Sequence, residues 1–143
     1  MKYFLRKAVT RIERRILPLI GKILWPPTGV NVVCWTSKDR EELILLDIDG
    51  NYNLPAGMIE QGEHPREASE REFKEETGLN LEIENFLGVK TAWNGISGLH
   101  FFYEAILTDN FEKKTSGWEG EPKIIDKEEI SGMLEKLPSP KET

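Results

Sequence analysis

Residues 57–79, GMIEQGEHPREASEREFKEETGL, constrain this chain more tightly than any other stretch. Gly57 opens the segment, Gly78 stands one residue from its end, and the interval is dense in glutamate. Pro65 suits the first turn of a helix, where its missing N–H would be unpaired anyway, so His64 or Glu63 falls near the N-cap. Nothing from Pro65 to Thr77 breaks a helix, and Gly78 sits where a left-handed terminal residue is needed. On such a helix Glu72, Glu75 and Glu76 occupy positions i, i+3 and i+4 and share one face. Carboxylates held that close repel one another, and a hard divalent cation such as Mg²⁺ or Mn²⁺ is a suitable neutraliser.

A plainer reading is a solvated acidic helix laced by i,i+4 pairs such as Arg71 with Glu75. That reading accounts for neither Gly57 nor the separate Glu63. Taken position by position, the segment runs Gly57, five residues, Glu63, seven residues, Arg71-Glu72, apolar Phe73, Lys74, Glu75-Glu76, Thr77, Gly78, apolar Leu79. It resembles the Nudix box, the loop–helix–loop of the Nudix (MutT-like) hydrolases, at every fixed position and at both apolar ones. The box covers 23 of 143 residues, and the flanking strands fit the family over roughly residues 28–137.

The resemblance implies metal-dependent hydrolysis of a phosphoanhydride in a nucleoside di- or triphosphate, or in a nucleoside diphosphate linked to another moiety. It implies Glu72, Glu75 and Glu76 as ligands of Mg²⁺ or Mn²⁺, with the Gly57 carbonyl as another. Arg71 is expected to orient a box carboxylate and Glu63 to brace the loop. The general base is Glu72 or a later loop acid, Glu119 or Glu121, with Glu119 preferred. Among the aromatics, Trp93 and Trp118 lie near loops and are the best candidates to stack a base, ahead of Trp35, Tyr52, Phe102 and Tyr103. His64 and His100 read as non-catalytic, one at the helix start and one on a strand. Pro55-Ala56-Gly57 departs mildly from the family's usual Pro-Gly-Gly, and Trp93 stands where many ADP-ribose pyrophosphatases carry proline. Other subgroup marks are absent, which leaves a generic substrate class. Two alternatives stay open: a non-hydrolytic nucleotide-binding or regulatory module, and a membrane-surface hydrolase of a lipid-linked diphosphate.

At 143 residues the chain is long enough for one domain with a real core. Its single cysteine, Cys34, cannot form an intramolecular disulfide and reads as a small buried hydrophobe, so a reducing, cytoplasmic setting is expected. The net charge of −6 is uneven: residues 1–25 carry +6 and the rest −12. An acidic body argues against general nucleic-acid binding.

The chain divides into a basic arm, 1–27, and a hydrolase domain, 28–143. Residues 3–17 read as an amphipathic helix, with Leu5, Val9, Ile12 and Ile16 on one face and Lys7, Arg11, Arg14 and Arg15 on the other. The arm either packs on the domain or on a second subunit, lies on an anionic membrane surface, or serves as a targeting peptide. No apolar run reaches the ~18–20 residues needed to span a bilayer. By analogy with the family, a homodimer is expected.

Residues 28–35 and 42–48 read as paired strands, and 47–53 as a turn. Beyond the box, 81–93 reads as a strand broken at Gly88, 94–98 as a turn and 100–108 as a strand completing a hairpin. Residues 109–121 read as a polar loop, 123–126 as a short strand, and 127–137 as a last helix capped by Asp126 or its neighbour. Short strands around a helical box imply an α/β/α sandwich with a mixed sheet, of the Nudix type.

Overall fold

The computed structural model describes residues 11, 15, 16, 27–115, 117 and 119–138. Strand β1 (Thr28–Trp35) is buried on both faces from Val30 onward, which is why its sequence is a near-continuous apolar run. It pairs in parallel with β6 (Ile96–Leu107), from Thr28 opposite Leu99 to Trp35 opposite Ile106. It is antiparallel to β2 (Glu42–Ile48) and to β4 (Ala56–Met58). Adding β3 (Asn51–Asn53), β5 (Leu81–Trp93) and β7 (Glu121–Asp126) gives a mixed sheet of order β3-β2-β1-β6-β5, with β4 on β1 and β7 on β2.

Side-chain alternation sends the two halves of each strand to different cores. Val32, Cys34, Ile44, Tyr103 and Ala105 face helix α1 (Pro65–Thr77) through Phe73. Val33, Trp35, Leu43, Leu45, Phe102 and Ile106 face the other way, where Ile130, Met133 and Leu134 cover them. The result is the expected α/β/α sandwich, although the second helical layer is slight.

Several local readings change. Residues 47–53 are a hairpin rather than a simple turn: Asp49 (φ 53°) and Gly50 (φ 85°) make the two-residue link, and β3 returns along β2. Gly88 does not break β5. The strand runs through it with a register shift against β6 between Phe86 and Gly88, one of three along the pair. The next turn is only Asn94-Gly95, so β6 begins at Ile96. The loop 109–121 contains a 3₁₀ turn, Phe111–Lys113, and Glu121 already belongs to β7. The last helix is a 3₁₀ turn, Lys127–Ile130, followed by the short α2, Ser131–Leu134. Asp126 makes no side-chain cap hydrogen bond, and the Lys127 N–H donates to the Glu41 carbonyl at 2.9 Å. The amphipathic-helix reading of residues 3–17 falls outside the described residues except at Arg11, Arg15 and Ile16, which are helical and exposed.

Candidate active site

Helix α1 begins on a capping box. His64 Nδ1 accepts from the Arg66 N–H at 3.0 Å, and Glu67 accepts from the His64 N–H at 3.3 Å. The helix ends at Gly78, whose left-handed backbone (φ 74°) lets its N–H donate to the Lys74 carbonyl. With both ends fixed and Phe73 and Ala68 turned inward, the acidic face is held against β4.

Arg71 organises that face. Its Nε and Nη2 donate to the two oxygens of Glu63 at 2.7 and 2.9 Å, Nη1 donates to Glu72 at 2.7 Å, and Nη2 also donates to the Met58 carbonyl at 2.9 Å. A bidentate guanidinium–carboxylate pair fixes direction as well as distance. The Arg71 contact holds the Glu63 carboxyl down at about 2 and raises the guanidinium further above its ordinary value. Glu63 also accepts from the Glu60 N–H, so it ties the loop to the helix.

Glu72 and Glu76 behave in the opposite way. Burial pushes Glu72 up to about 7, against the opposing pull of Arg71. Burial also raises Glu76, with the charges of Glu119 and Glu72 adding to it. Glu76 Oε1 accepts from the Ala56 N–H at 3.1 Å, whereas Oε2 is buried with no hydrogen-bond partner among the described residues. Glu75 is the exposed member, 3.4 Å from Arg71. Gly57 lies directly beneath Glu72: a β-carbon there would overlap the carboxylate, and the Gly57 carbonyl points towards Gly29.

Glu119 reaches this group from the loop. Gly117 passes over the Glu76 backbone, Gly120 rests on the Asp47 carbonyl, and the Glu119 charge acts on both Glu72 and Glu76. Glu121 is placed elsewhere, opposite Asp47 in β7 and 3.4 Å from Lys114 Nζ. Trp93 is on the other face of the sheet. Its ring meets Phe102 edge-on with centroids 4.9 Å apart and lines a cavity of about 540 Å³ with Lys90, Met133 and Lys136. Trp118 lies outside the described residues. Two polar residues that the sequence reading gave no role stand on that face as well, Asn31 and His100, both buried. The signal for Asn31 was an amide inside an apolar strand, since buried polar groups call for partners.

The donor set suits a hard divalent cation: it is all oxygen, and Glu76 Oε2 is buried without a proton donor among the described residues. Among the described residues no three His, Cys, Asp or Glu side chains already converge as a ligand shell. Glu72 is turned to Arg71 and Glu76 to Ala56 instead.

The NUDIX domain family model matches residues 25–142. The chain is 34% identical over 101 residues to the human 8-oxo-dGDP phosphatase NUDT18, covering 62% of this chain and 31% of that protein. It is 35% identical over 82 residues to an ADP-ribose pyrophosphatase of Methanocaldococcus jannaschii, covering 54% and 47%. The chain therefore spans less than half the length of these curated relatives. Among solved structures, a NUDIX hydrolase from Nitrosomonas europaea superposes with a TM-score of 0.62 at 24% identity, covering 73% of this chain and 60% of that one. A NUDIX-family hydrolase from Clostridium perfringens gives 0.57 at 22%, covering 75% and 85%. With the family model matched over most of its length and the fold shared, the chain belongs to the Nudix family.

Proposed function

We propose that this chain hydrolyses a phosphoanhydride bond of a nucleoside diphosphate-type substrate, with Mg²⁺ or Mn²⁺ held by Glu72, Glu75, Glu76 and the Gly57 carbonyl. The observation that carries the reading is the buried Glu76 Oε2, without a hydrogen-bond partner among the described residues, beside a second carboxyl raised by burial, Glu72. Such a pair is costly unless a cation completes it. The names of the two relatives, an 8-oxo-dGDP phosphatase and an ADP-ribose pyrophosphatase, support the substrate class.

When bound, the metal neutralises the diphosphate oxygens and acidifies a water. The chain's own residues do the rest. Arg71 holds Glu72 and Glu63 in fixed directions. Glu119, whose charge bears on Glu72 and Glu76, takes the proton of the attacking water in this reading as the water oxygen bonds to phosphorus and the anhydride P–O bond breaks. Trp93 and Trp118 serve as stacking surfaces for the rest of the substrate.

The test is release of phosphate and nucleotide from a panel of nucleoside triphosphates, oxidised dGTP, ADP-ribose, dinucleoside polyphosphates, nucleotide sugars and a lipid diphosphate. Turnover of one member, lost in Glu75→Gln, is the expected result. Silence across the panel despite metal binding would favour the non-hydrolytic module.

Residues 1–27 we read as an appendage to the hydrolase unit 28–143, and its charge of +6 over residues 1–25 supports peripheral contact with an anionic membrane. No helix among the described residues is long and apolar enough to cross a membrane. Flotation with anionic vesicles checks this, and protein that never floats contradicts it. Phe86, exposed on β5 beside Phe101 and Tyr103, supports association of two copies.

A further inference from the structure

His100 and Asn31 share the sheet face opposite α1. Along β6 that face takes His100, Phe102 and Ile106; along β1 it takes Gly29, Asn31 and Val33. In the parallel register Gly29 is opposite His100 and Asn31 is opposite Phe102. The two polar side chains thus sit diagonally across Gly29, with about two residues of strand, roughly 6.6 Å, between their levels.

Both are more than nine-tenths buried, Asn31 at 4% exposure and His100 at 9%. His100 Nε2 is 2.9 Å from the Ile96 carbonyl oxygen. A carbonyl can only accept, so the ring proton is on Nε2 and Nδ1 presents a lone pair. A β-carbon on Gly29 would lie 3.9 Å from that Nδ1 and 3.2 Å from the Gly57 carbonyl oxygen. A side chain at position 29 would therefore crowd the Gly57 carbonyl oxygen and touch the imidazole, so glycine leaves a notch only at its own position, between the His100 ring and the backbone that carries the acids. Within the described residues neither the Asn31 amide nor Nδ1 takes a hydrogen bond, and neither is sealed in as Glu76 Oε2 is. Buried polar groups left unpaired in a native fold call for an external partner. An aromatic wall is at hand, because Trp93 packs on Phe102, the cross-strand neighbour of Asn31.

We propose that Asn31 and His100 read the polar edge of a nucleobase, the carboxamide giving and taking a hydrogen bond and Nδ1 accepting one from a ring or exocyclic N–H. The pair makes specificity residues of two side chains on the first and sixth strands and confines the substrate to nucleosides that offer a donor at this notch. An asparagine amide matches a base edge that carries a donor and an acceptor side by side. The inference rests on the hydrolase reading only for the placing of the diphosphate over Glu72 and Glu76.

Calorimetric titration of the full chain with AMP, GMP, CMP and ribose 5-phosphate tests it without turnover. One nucleotide is expected to bind at least about tenfold tighter than ribose 5-phosphate, the scale of one or two hydrogen bonds and a stacked ring. His100→Gln keeps an N–H for the Ile96 carbonyl but removes the acceptor. It should weaken that nucleotide about fivefold to tenfold and leave ribose 5-phosphate unchanged. His100→Asn keeps an acceptor near the Nδ1 position and gives up the Ile96 bond, so it should lower the Tm and retain most of the preference. The proposal fails if no nucleotide outbinds ribose 5-phosphate, or if Gln is harmless to the preference while Asn abolishes it. Base-selective binding with no phosphate release would keep this proposal and sink the hydrolase reading; phosphate release with no base preference would do the reverse.

Discussion

At the scale of single residues, the site is defined by carboxylates pushed in opposite directions. Glu63 is held down at about 2 by Arg71, whereas Glu72 is raised to about 7 and Glu76 is raised as well, both by burial. The signs differ for stability. Glu63 contributes stability that is present above its ordinary carboxylate range and is lost as pH falls towards 2. Glu72 binds its proton more tightly folded than unfolded, so stability of the metal-free protein should fall as pH rises from about 4.5 to 7, by at most about 1.4 kcal/mol per pH unit for one group. Calorimetry in EDTA should show a Tm declining over that window and a shallower decline in Glu72→Gln; a flat wild-type profile contradicts the burial argument. Arg71→Lys should reduce activity more than stability, because an ammonium cannot hold Glu63 and Glu72 together in one planar fork. Equal kcat in the two proteins would remove Arg71 from the positioning role.

At the scale of elements, the site depends on helix α1 lying close to β4. Phe73 anchors the helix to the sheet and is fully buried. Phe73→Ala should cost about 3–5 kcal/mol in denaturant unfolding; a loss below about 1 kcal/mol would mean the helix is not held by this contact. Gly57→Ala puts a methyl where the Glu72 carboxylate stands. It should abolish the thermal response to Mg²⁺ while costing far less stability than Phe73→Ala, and an undiminished response would show that Glu72 need not rest on β4. The elements were unequally legible in the sequence. Helix α1 was fully so, since Pro65, His64 and Gly78 set its ends by local chemistry. Strand β5 reads as broken at Gly88 from sequence because its partner in β6, Phe102, 14 positions along the chain, decides whether a glycine breaks a strand or bulges it. β3 was hidden inside a turn signal for a similar reason: Asp49-Gly50 reads as a loop until β2 is there to pair with its far side.

At the scale of the whole molecule, the sandwich divides its labour between two faces. The face towards α1 carries the acids, brought together from the helix and, through Glu119, from the loop, with Gly57 of β4 beneath Glu72. The acid cluster was largely legible, because Glu72, Glu75 and Glu76 are neighbours on one helix. The preference for Glu119 over Glu121 was already part of the sequence reading, and β7 sets Glu121 beside Lys114. Asn31 and His100 were not legible as a pair, since they lie 69 positions apart in the chain and only the parallel β1–β6 register brings them diagonally together on one face. The most direct measurement is turnover of the best panel substrate as Mg²⁺ is titrated, in wild type and in Glu76→Gln. The account predicts saturable activation by the metal, silence in EDTA, and a loss of about a hundredfold or more in the variant. Full turnover in EDTA, or a Glu76→Gln enzyme that keeps pace with wild type, would contradict it.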